Sequence, residues 1–236
     1  MIDELTIEAS HKCNLNCLFC SSRDTLFNIN PEDRLSLEKI IETIQAFKPK
    51  VIRWSGGEPF FYLNQPLLEK TSAFDFPINH AVTTNGTLTA EAVNLAPYFS
   101  EIRVSVFGDE KTHEELTRVP GSWGKAMQTL QSLKDKLKDS MATKLLITSP
   151  YISKSQMQEV KDIAEKFMLG TRITGLVPNA LISRPDDTTE SDTCSQGDET
   201  CHYHQKRLIL PNGRIIHCAV EKIGFNCPYI NVSSRG

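Results

Sequence analysis

Three cysteines near the start of the chain have a spacing that suits metal binding. Cys13, Cys17 and Cys20 lie within eight positions, so one loop can bring three thiolates together. A structural zinc site uses four protein ligands and is closed, whereas an iron–sulfur cluster held by three cysteines leaves one iron free for an external ligand. The alternative is three separate reduced thiols. We favour the cluster, because three of the seven cysteines fall in this one segment.

Four further cysteines occur late in the chain and suggest a second metal site. They are Cys194, Cys201, Cys218 and Cys227. The odd total of seven cysteines argues against a disulfide framework and favours metal ligation. The same region holds three histidines, His202, His204 and His217. Tetrahedral zinc is therefore the alternative to a second iron–sulfur cluster at this site.

The elements that must position the early cysteines are strands and helices in alternation. This alternation of short apolar runs and longer helical patterns predicts βα units around a parallel sheet. The predicted strands span residues 4–8, 51–54, 78–83, 102–106, 144–148 and 172–177. The predicted helices span residues 36–47, 65–73, 90–96, 122–137 and 154–168. The cysteine loop directly follows the first strand, at the end where parallel α/β folds carry their active sites.

The pattern changes after the sixth predicted strand. Residues 183–200 contain no Val, Ile, Leu or Phe and carry six acidic residues against one arginine, which indicates an acidic linker. Two short alternating runs then follow, at 207–210 and 214–217. They flank the tripeptide Pro211-Asn212-Gly213, which predicts a β-hairpin.

Composition restricts the class of protein and its partners. Hydrophobic residues make up 39% of the 236 residues, which is enough for a globular core. No run approaches the roughly 20 apolar residues of a membrane span, and the first residues lack the pattern of a signal peptide. We therefore expect a cytoplasmic protein without a membrane partner. The net charge of −3 and the absence of a basic stripe give no support for a nucleic-acid substrate.

The early cysteine spacing resembles the Cys-x3-Cys-x2-Cys hallmark of the radical S-adenosylmethionine (SAM) enzymes. The resemblance implies a 4Fe-4S cluster on Cys13, Cys17 and Cys20, with SAM chelating the open iron. One electron then cleaves SAM to methionine and a 5′-deoxyadenosyl radical, which abstracts a hydrogen from the substrate. It also implies a partial (β/α)6 barrel of the TIM type over residues 1–182.

Further motifs resemble those that contact SAM in this family. The segment from Ser55 to Pro59 resembles the GGEP motif, Thr83 to Gly86 resembles its Thr-Asn-Gly turn, and the stretch from Val104 resembles its Ser-Leu-Asp-Gly segment. The SAM contacts implied by this resemblance are Phe19, Gly56, Gly57, Glu58, Thr84, Asn85, Ser105 and Arg118. Phe107 departs from the pattern, because Asp or a small residue is often found there. We expect His113 on the surface of a helix.

The late cysteines resemble those of a twitch or SPASM extension in the same family. The resemblance implies that Cys201, the hairpin Gly213 and Cys218 begin an auxiliary iron–sulfur site, with Cys227 as third ligand. Cys194 is either a fourth ligand or a bystander. Because a full SPASM extension carries more cysteines, a single-cluster twitch over residues 201–236 is the better match.

The family resemblance also implies a function. It points to an oxidoreductase or maturase that acts on a small molecule or a peptide by oxidation, epimerisation or cross-linking. An electron donor such as flavodoxin or ferredoxin is the expected partner. Three alternatives are a glycyl-radical activating enzyme, a tRNA-modifying radical SAM enzyme and a non-catalytic metal-binding scaffold.

Overall fold

The computed structural model describes residues 1–20, 22, 29–30, 32–140, 142–174 and 205–216. Its strands are β1 (Glu4–Glu8), β2 (Val51–Ser55), β3 (Asn79–Thr84), β4 (Glu101–Ser105), β5 (Lys144–Pro150), β6 (Gly170–Thr174), β7 (Lys206–Ile209) and β8 (Ile215–Ile216). Its α-helices are α1 (Leu37–Phe47), α2 (Gln65–Ser72), α3 (Thr89–Leu95), α4 (Glu110–Thr117), α5 (Ser122–Leu137) and α6 (Lys154–Phe167). The predicted linker at 183–200 and the four late cysteines lie outside the described residues.

The strands form one mostly parallel sheet with the order β6-β5-β4-β3-β2-β1-β7-β8. The first five predicted βα strands are confirmed, with ends that differ by at most two residues. The sixth is confirmed as β6, which begins at Gly170 rather than Arg172, and the rest of its predicted span, 175–177, lies outside the described residues. Among the described strands, β6 and β8 are the two ends of the order and do not pair with each other. This architecture agrees with the predicted partial barrel of the TIM type.

The predicted hairpin is also present and is bonded to the barrel sheet. β7 pairs antiparallel with β8 and parallel with β1. The turn between the two hairpin strands is closed by Gly213 N–H donating to the Leu210 carbonyl at 2.8 Å. Gly213 has a positive φ of 81°, a conformation that costs glycine little. The hairpin of the expected extension therefore continues the sheet beyond β1.

Helix α4 is the one α-helix that the sequence pattern did not predict. Its eight residues include a single large apolar side chain, Leu116, so no apolar stripe of helical period is visible. The face that it buries carries His113 and Thr117 instead. Asp109 caps the helix, because its side chain accepts from Thr112 N–H at 2.8 Å.

The two faces of the sheet differ in polarity. The face under the helices is apolar, with Ile7, Ile52, Trp54 and Ile102 all fully buried in the main core. The alternate residues on the opposite, interior face are largely polar and charged, and ion pairs join them across the strands. Side chains therefore alternate along each strand between the apolar core under the helices and a polar surface inside the barrel.

Candidate active site

The cysteine loop begins five residues after β1 and is fixed by backbone hydrogen bonds to α4. Asn16 N–H donates to the Thr117 carbonyl at 3.0 Å, and Leu18 N–H donates to the Leu116 carbonyl at 2.9 Å. The side chain of Leu15, next to these contacts, is buried. Helix α4, which the sequence pattern did not predict, therefore helps to hold the predicted metal-binding loop in place.

Two N–H groups face the sulfur of Cys13. Leu15 N–H donates to Cys13 Sγ at 3.4 Å, and Asn85 Nδ2 donates to the same atom at 3.6 Å. Burial raises the pKa of the Cys13 thiol, whereas these two donors act in the opposite direction. A bound metal ion deprotonates a coordinating thiol outright, so the N–H donors would then stabilise a thiolate.

The donor chemistry of the loop fits a 4Fe-4S cluster. All three residues carry a thiol that is not tied up in a disulfide, and N–H···S bonds of the kind at Cys13 are among the features that tune such clusters. Within the described ranges, no three His, Cys, Asp or Glu side chains are already gathered closely enough to hold a metal ion. The loop thus offers three thiols and an N–H···S environment of the kind that a 4Fe-4S cluster uses.

The two glycines of the GGEP-like motif allow this loop to lie directly against the cysteine loop. A Cβ at Gly57 would be 2.1 Å from the Lys12 carbonyl oxygen, and one at Gly56 would be 2.7 Å from the Ser10 carbonyl oxygen. Gly57 N–H donates to that Ser10 oxygen at 3.0 Å, and Glu58 N–H donates to the Lys12 oxygen at 2.8 Å. The two glycines therefore lie in close contact with the backbone just before Cys13.

Glu58 is fully buried and joins two loops of the site. Its Oε1 accepts from Thr84 Oγ1 at 2.8 Å and from Phe60 N–H at 3.2 Å, and its Oε2 accepts from Asn85 N–H at 2.7 Å. Burial raises the pKa of Glu58 to about 7, against the lowering effect of these three donors. The family resemblance implies that Glu58 contacts SAM, with the carboxylate accepting a hydrogen bond from the SAM amino group. In this structure, three protein donors already occupy the carboxylate.

The turn after β3 forms a hydrogen-bond network with the cysteine loop, and only one of its side chains, Asn85, was predicted as a site residue. Asn85 Nδ2 also donates to Asn14 Oδ1 at 2.9 Å, and Asn14 Nδ2 donates to Thr87 Oγ1 at 2.8 Å. Asn14 and Thr87 were not predicted as site residues. The position of Asn14 between two of the predicted ligand cysteines was the available signal, since its amide can both donate and accept hydrogen bonds there.

Phe19 lies in an aromatic stack beside the cysteine loop. Its ring meets Phe107 edge-on with centroids 4.8 Å apart, and Phe107 in turn stacks on His113 at 5.1 Å. The expectation of a surface histidine at 113 is wrong, because His113 is fully buried on α4 and accepts from Phe107 N–H at 3.2 Å. Burial lowers the pKa of His113 to about 4, so the ring is neutral at pH 7.

The remaining predicted SAM contacts lie at the same edge of the barrel. Ser105 is the last residue of β4, and Arg118 ends α4 in the left-handed conformation with φ 58°. Within the described ranges, no hydrogen bond or ion pair engages either side chain. Both groups are thus available to a ligand, as the predicted contacts require. The predicted auxiliary ligands Cys194, Cys201, Cys218 and Cys227 lie outside the described residues.

Comparison with protein families identifies the class to which this site belongs. The family model of the radical SAM superfamily matches residues 7–167, which include the cysteine loop and the strands from β2 to β5. The chain therefore belongs to the radical SAM superfamily and is an enzyme of that class. Members of this family bind a 4Fe-4S cluster and SAM.

Individual relatives match only part of their own length. GTP 3′,8-cyclase of Clostridium perfringens (strain SM101) is 25% identical over 185 residues, covering 75% of this chain and 56% of that protein. A probable GTP 3′,8-cyclase of Archaeoglobus fulgidus is 31% identical over 113 residues, covering 44% of this chain and 32% of that protein. The chain thus spans between about a third and just over half of these relatives.

Solved structures show the same fold. Streptococcus suis SuiB bound to the precursor peptide SuiA superposes with a TM-score of 0.70 at 19% identity, covering 95% of this chain and 61% of that chain. Native anSMEcpe with bound AdoMet has a TM-score of 0.55 at 18% identity, covering 73% of this chain and 51% of that chain. In the described part of this chain, no helix combines the length and apolar character needed to cross a membrane.

Proposed function

We propose that this chain reductively cleaves SAM and uses the resulting 5′-deoxyadenosyl radical to abstract a hydrogen from a small-molecule or peptide substrate. The observation that carries the proposal is the connected set of loops around Cys13. The cysteine loop, the GGEP-like loop and the turn after β3 are all joined by hydrogen bonds at the carboxyl ends of β1, β2 and β3.

Each loop has a distinct task in this proposal. The cluster on Cys13, Cys17 and Cys20 supplies the electron that cleaves SAM. Asn85 donates to the Cys13 sulfur and holds the loop position, while Glu58 fixes the Asn85 backbone. Ser105 and Arg118 offer a hydroxyl and a guanidinium to the polar groups of SAM. The relatives support both substrate classes, since one acts on GTP by name and another is bound to a peptide.

The second metal site remains part of the proposal. We assign Cys201, Cys218 and Cys227, with Cys194 as a further candidate, to an auxiliary iron–sulfur cluster of the twitch type. The alternative metal at this site is zinc. A flavodoxin or a ferredoxin is the proposed electron donor for the first cluster.

The test is SAM cleavage by the anaerobically reconstituted enzyme with dithionite. We expect wild type to release 5′-deoxyadenosine and Cys17→Ala to release none, because the cluster then lacks one of three ligands. Cys218→Ala should still cleave SAM but fail to turn over substrate. Total iron distinguishes the metals at the second site, with ~8 irons per chain for two clusters and ~4 for one. A wild-type enzyme that carries iron but releases no 5′-deoxyadenosine would contradict the proposal.

A further inference from the structure

The interior face of the barrel carries a cluster of charged residues that the proposed function does not use. The interior charge cluster consists of Glu4 on β1, Arg53 on β2, Glu101 and Arg103 on β4, Arg172 on β6 and Lys206 on β7. Four cations thus share one surface with two carboxylates. Nearby Glu8 is engaged by His11 at 2.8 Å and adds no free carboxylate to the cluster.

The carboxylates of the cluster are already committed. Glu4 pairs with Arg53 at 2.9 Å and with Lys206 at 3.7 Å. Glu101 pairs with Arg53 at 3.0 Å and with Arg103 at 2.7 Å. Each carboxylate is therefore within ion-pair distance of two cations, so among the described side chains of this cluster four cations face two carboxylates.

Arg172 is the cation of this cluster that pairs with neither of these two carboxylates. Among the described residues, no carboxylate forms an ion pair with Arg172, and the residue is exposed. Nε of Arg103 is buried and has no hydrogen-bond partner in the described part of the chain. The same holds for Arg53 Nη1 and Glu101 Oε1, whose ion-pair contact lacks hydrogen-bond geometry. Burial and then the charge of Arg53 lower the pKa of Arg103, and Arg172 acts in the same direction. The two guanidinium groups therefore repel each other across the interior face.

Strand register places Arg172 beside the predicted SAM site. Ser105 pairs with Thr148, and Thr148 pairs with Arg172. Ser149 hydrogen-bonds to Gln156 on α6 at 2.8 Å, so the adjacent Thr148 points to the other, interior face. Arg172 shares that orientation, because paired residues of neighbouring strands lie on the same face. Among the described strands, its strand β6 is one end of the sheet.

We propose that Arg172, assisted by Arg103, binds an acid group of the substrate, either a carboxylate or a phosphate. This inference rests on the proposed function, since it names the substrate class for that same site. An anion here would satisfy an unpaired guanidinium and relieve the repulsion between two arginines. Arginine presents a planar fork of donors that matches both groups bidentately. Arg172 lies in the same register row as Ser105, two strands away.

The experiment measures anion binding to the reconstituted enzyme by calorimetry, with inorganic phosphate and acetate as probes at matched ionic strength. We expect one of the two anions to bind wild type and to bind Arg172→Gln about tenfold or more weakly, as expected for losing a charge-assisted hydrogen bond. The preferred anion tells a phosphate from a carboxylate group. Lys161→Gln makes the same charge change on the exposed face of α6 and should bind as wild type does. Arg172→Lys should be intermediate, because it keeps the charge but loses the fork.

Several outcomes would overturn the inference. The first is equal binding by wild type and Arg172→Gln, or no binding of either anion by wild type. A second is loss of substrate-free SAM cleavage in Arg172→Gln, because Arg172 would then hold the carboxylate of SAM itself. A third is stronger anion binding when Asp186 and Asp187 are replaced by Asn, which would assign the arginines to the chain's own acidic segment. Failure of wild type to cleave SAM bears on the proposed function alone, since anion binding is measured independently.

Discussion

The contact between Gly57 and the cysteine loop gives the sharpest prediction, for Gly57→Ala. The new Cβ would be 2.1 Å from the Lys12 carbonyl oxygen and 2.6 Å from the His11 carbonyl carbon. Both are backbone atoms, so the two loops must separate rather than a side chain move aside. Overpacking costs about 1–3 kcal/mol, and separation of the loops weakens two hydrogen bonds of about 1 kcal/mol each.

With both hydrogen bonds lost, the total for Gly57→Ala is therefore about 3–5 kcal/mol, a large part of the stability of an ordinary domain. At this chain length it corresponds to a fall in Tm of roughly 10 °C. We expect a matching loss of about four irons per chain after reconstitution, because the displaced loop carries the cluster ligands. Thermal unfolding and iron analysis measure the two effects.

Gly124→Ala provides the matched control. Gly124 lies in α5, and a Cβ added there would have no other atom within 4 Å, so alanine fits without a clash. It should raise stability by about 0.5–1 kcal/mol through helix propensity and leave iron content unchanged. A Gly57→Ala protein with the Tm and iron content of wild type would show that the contact between the GGEP-like loop and the cysteine loop is not needed to position the cysteines.

Two further perturbations address the network around Glu58 and Asn85. Since burial raises the pKa of Glu58 to about 7, the native state holds a proton between pH ~4.5 and ~7 that the unfolded chain has lost. The unfolding free energy of the protein before iron loading should therefore fall by up to about 3 kcal/mol as pH rises through that window. Urea titrations at pH 5 and pH 7.5 measure this slope, and Glu58→Gln should remove it; an unchanged slope in the variant would assign it elsewhere. Asn85→Asp keeps the acceptor for Thr87 but puts a carboxylate 3.6 Å from the Cys13 sulfur, so the cluster potential should become more negative. A dithionite titration followed by electron paramagnetic resonance tests this, with an unchanged or higher potential as the contrary result.

Much of the fold could be predicted from sequence because each β-strand is marked by β-branched and apolar residues in a short run. The strand at 4–8 and the helix at 122–137 are predicted to the residue. Helix α4 was missed for a physical reason, since a helix that buries His113 and Thr117 has no apolar period. The pairing of β7 with β1 could not be predicted either, because the register between distant segments is set only when the sheet assembles.

The candidate site likewise has features that the sequence predicts and features that it does not. Residue types and spacing predicted the three-cysteine ligand set, and the family resemblance added the loops around it. They did not predict that the glycines contact the backbone before Cys13, nor that Glu58 is enclosed by Thr84, Asn85 and Phe60. Such contacts depend on the distance between two loops. A motif specifies the residues in each loop without fixing that distance.

The geometry of Glu58 reconciles its predicted role with its burial. A carboxylate has about four acceptor positions, and three are taken by protein donors. One position therefore remains, which is sufficient for a single hydrogen bond from the amino group of SAM. A cationic ligand nearby would favour the ionised carboxylate and lower its raised pKa. Glu58 would then hold the loops together in either protonation state and contribute its charge once the ligand is bound.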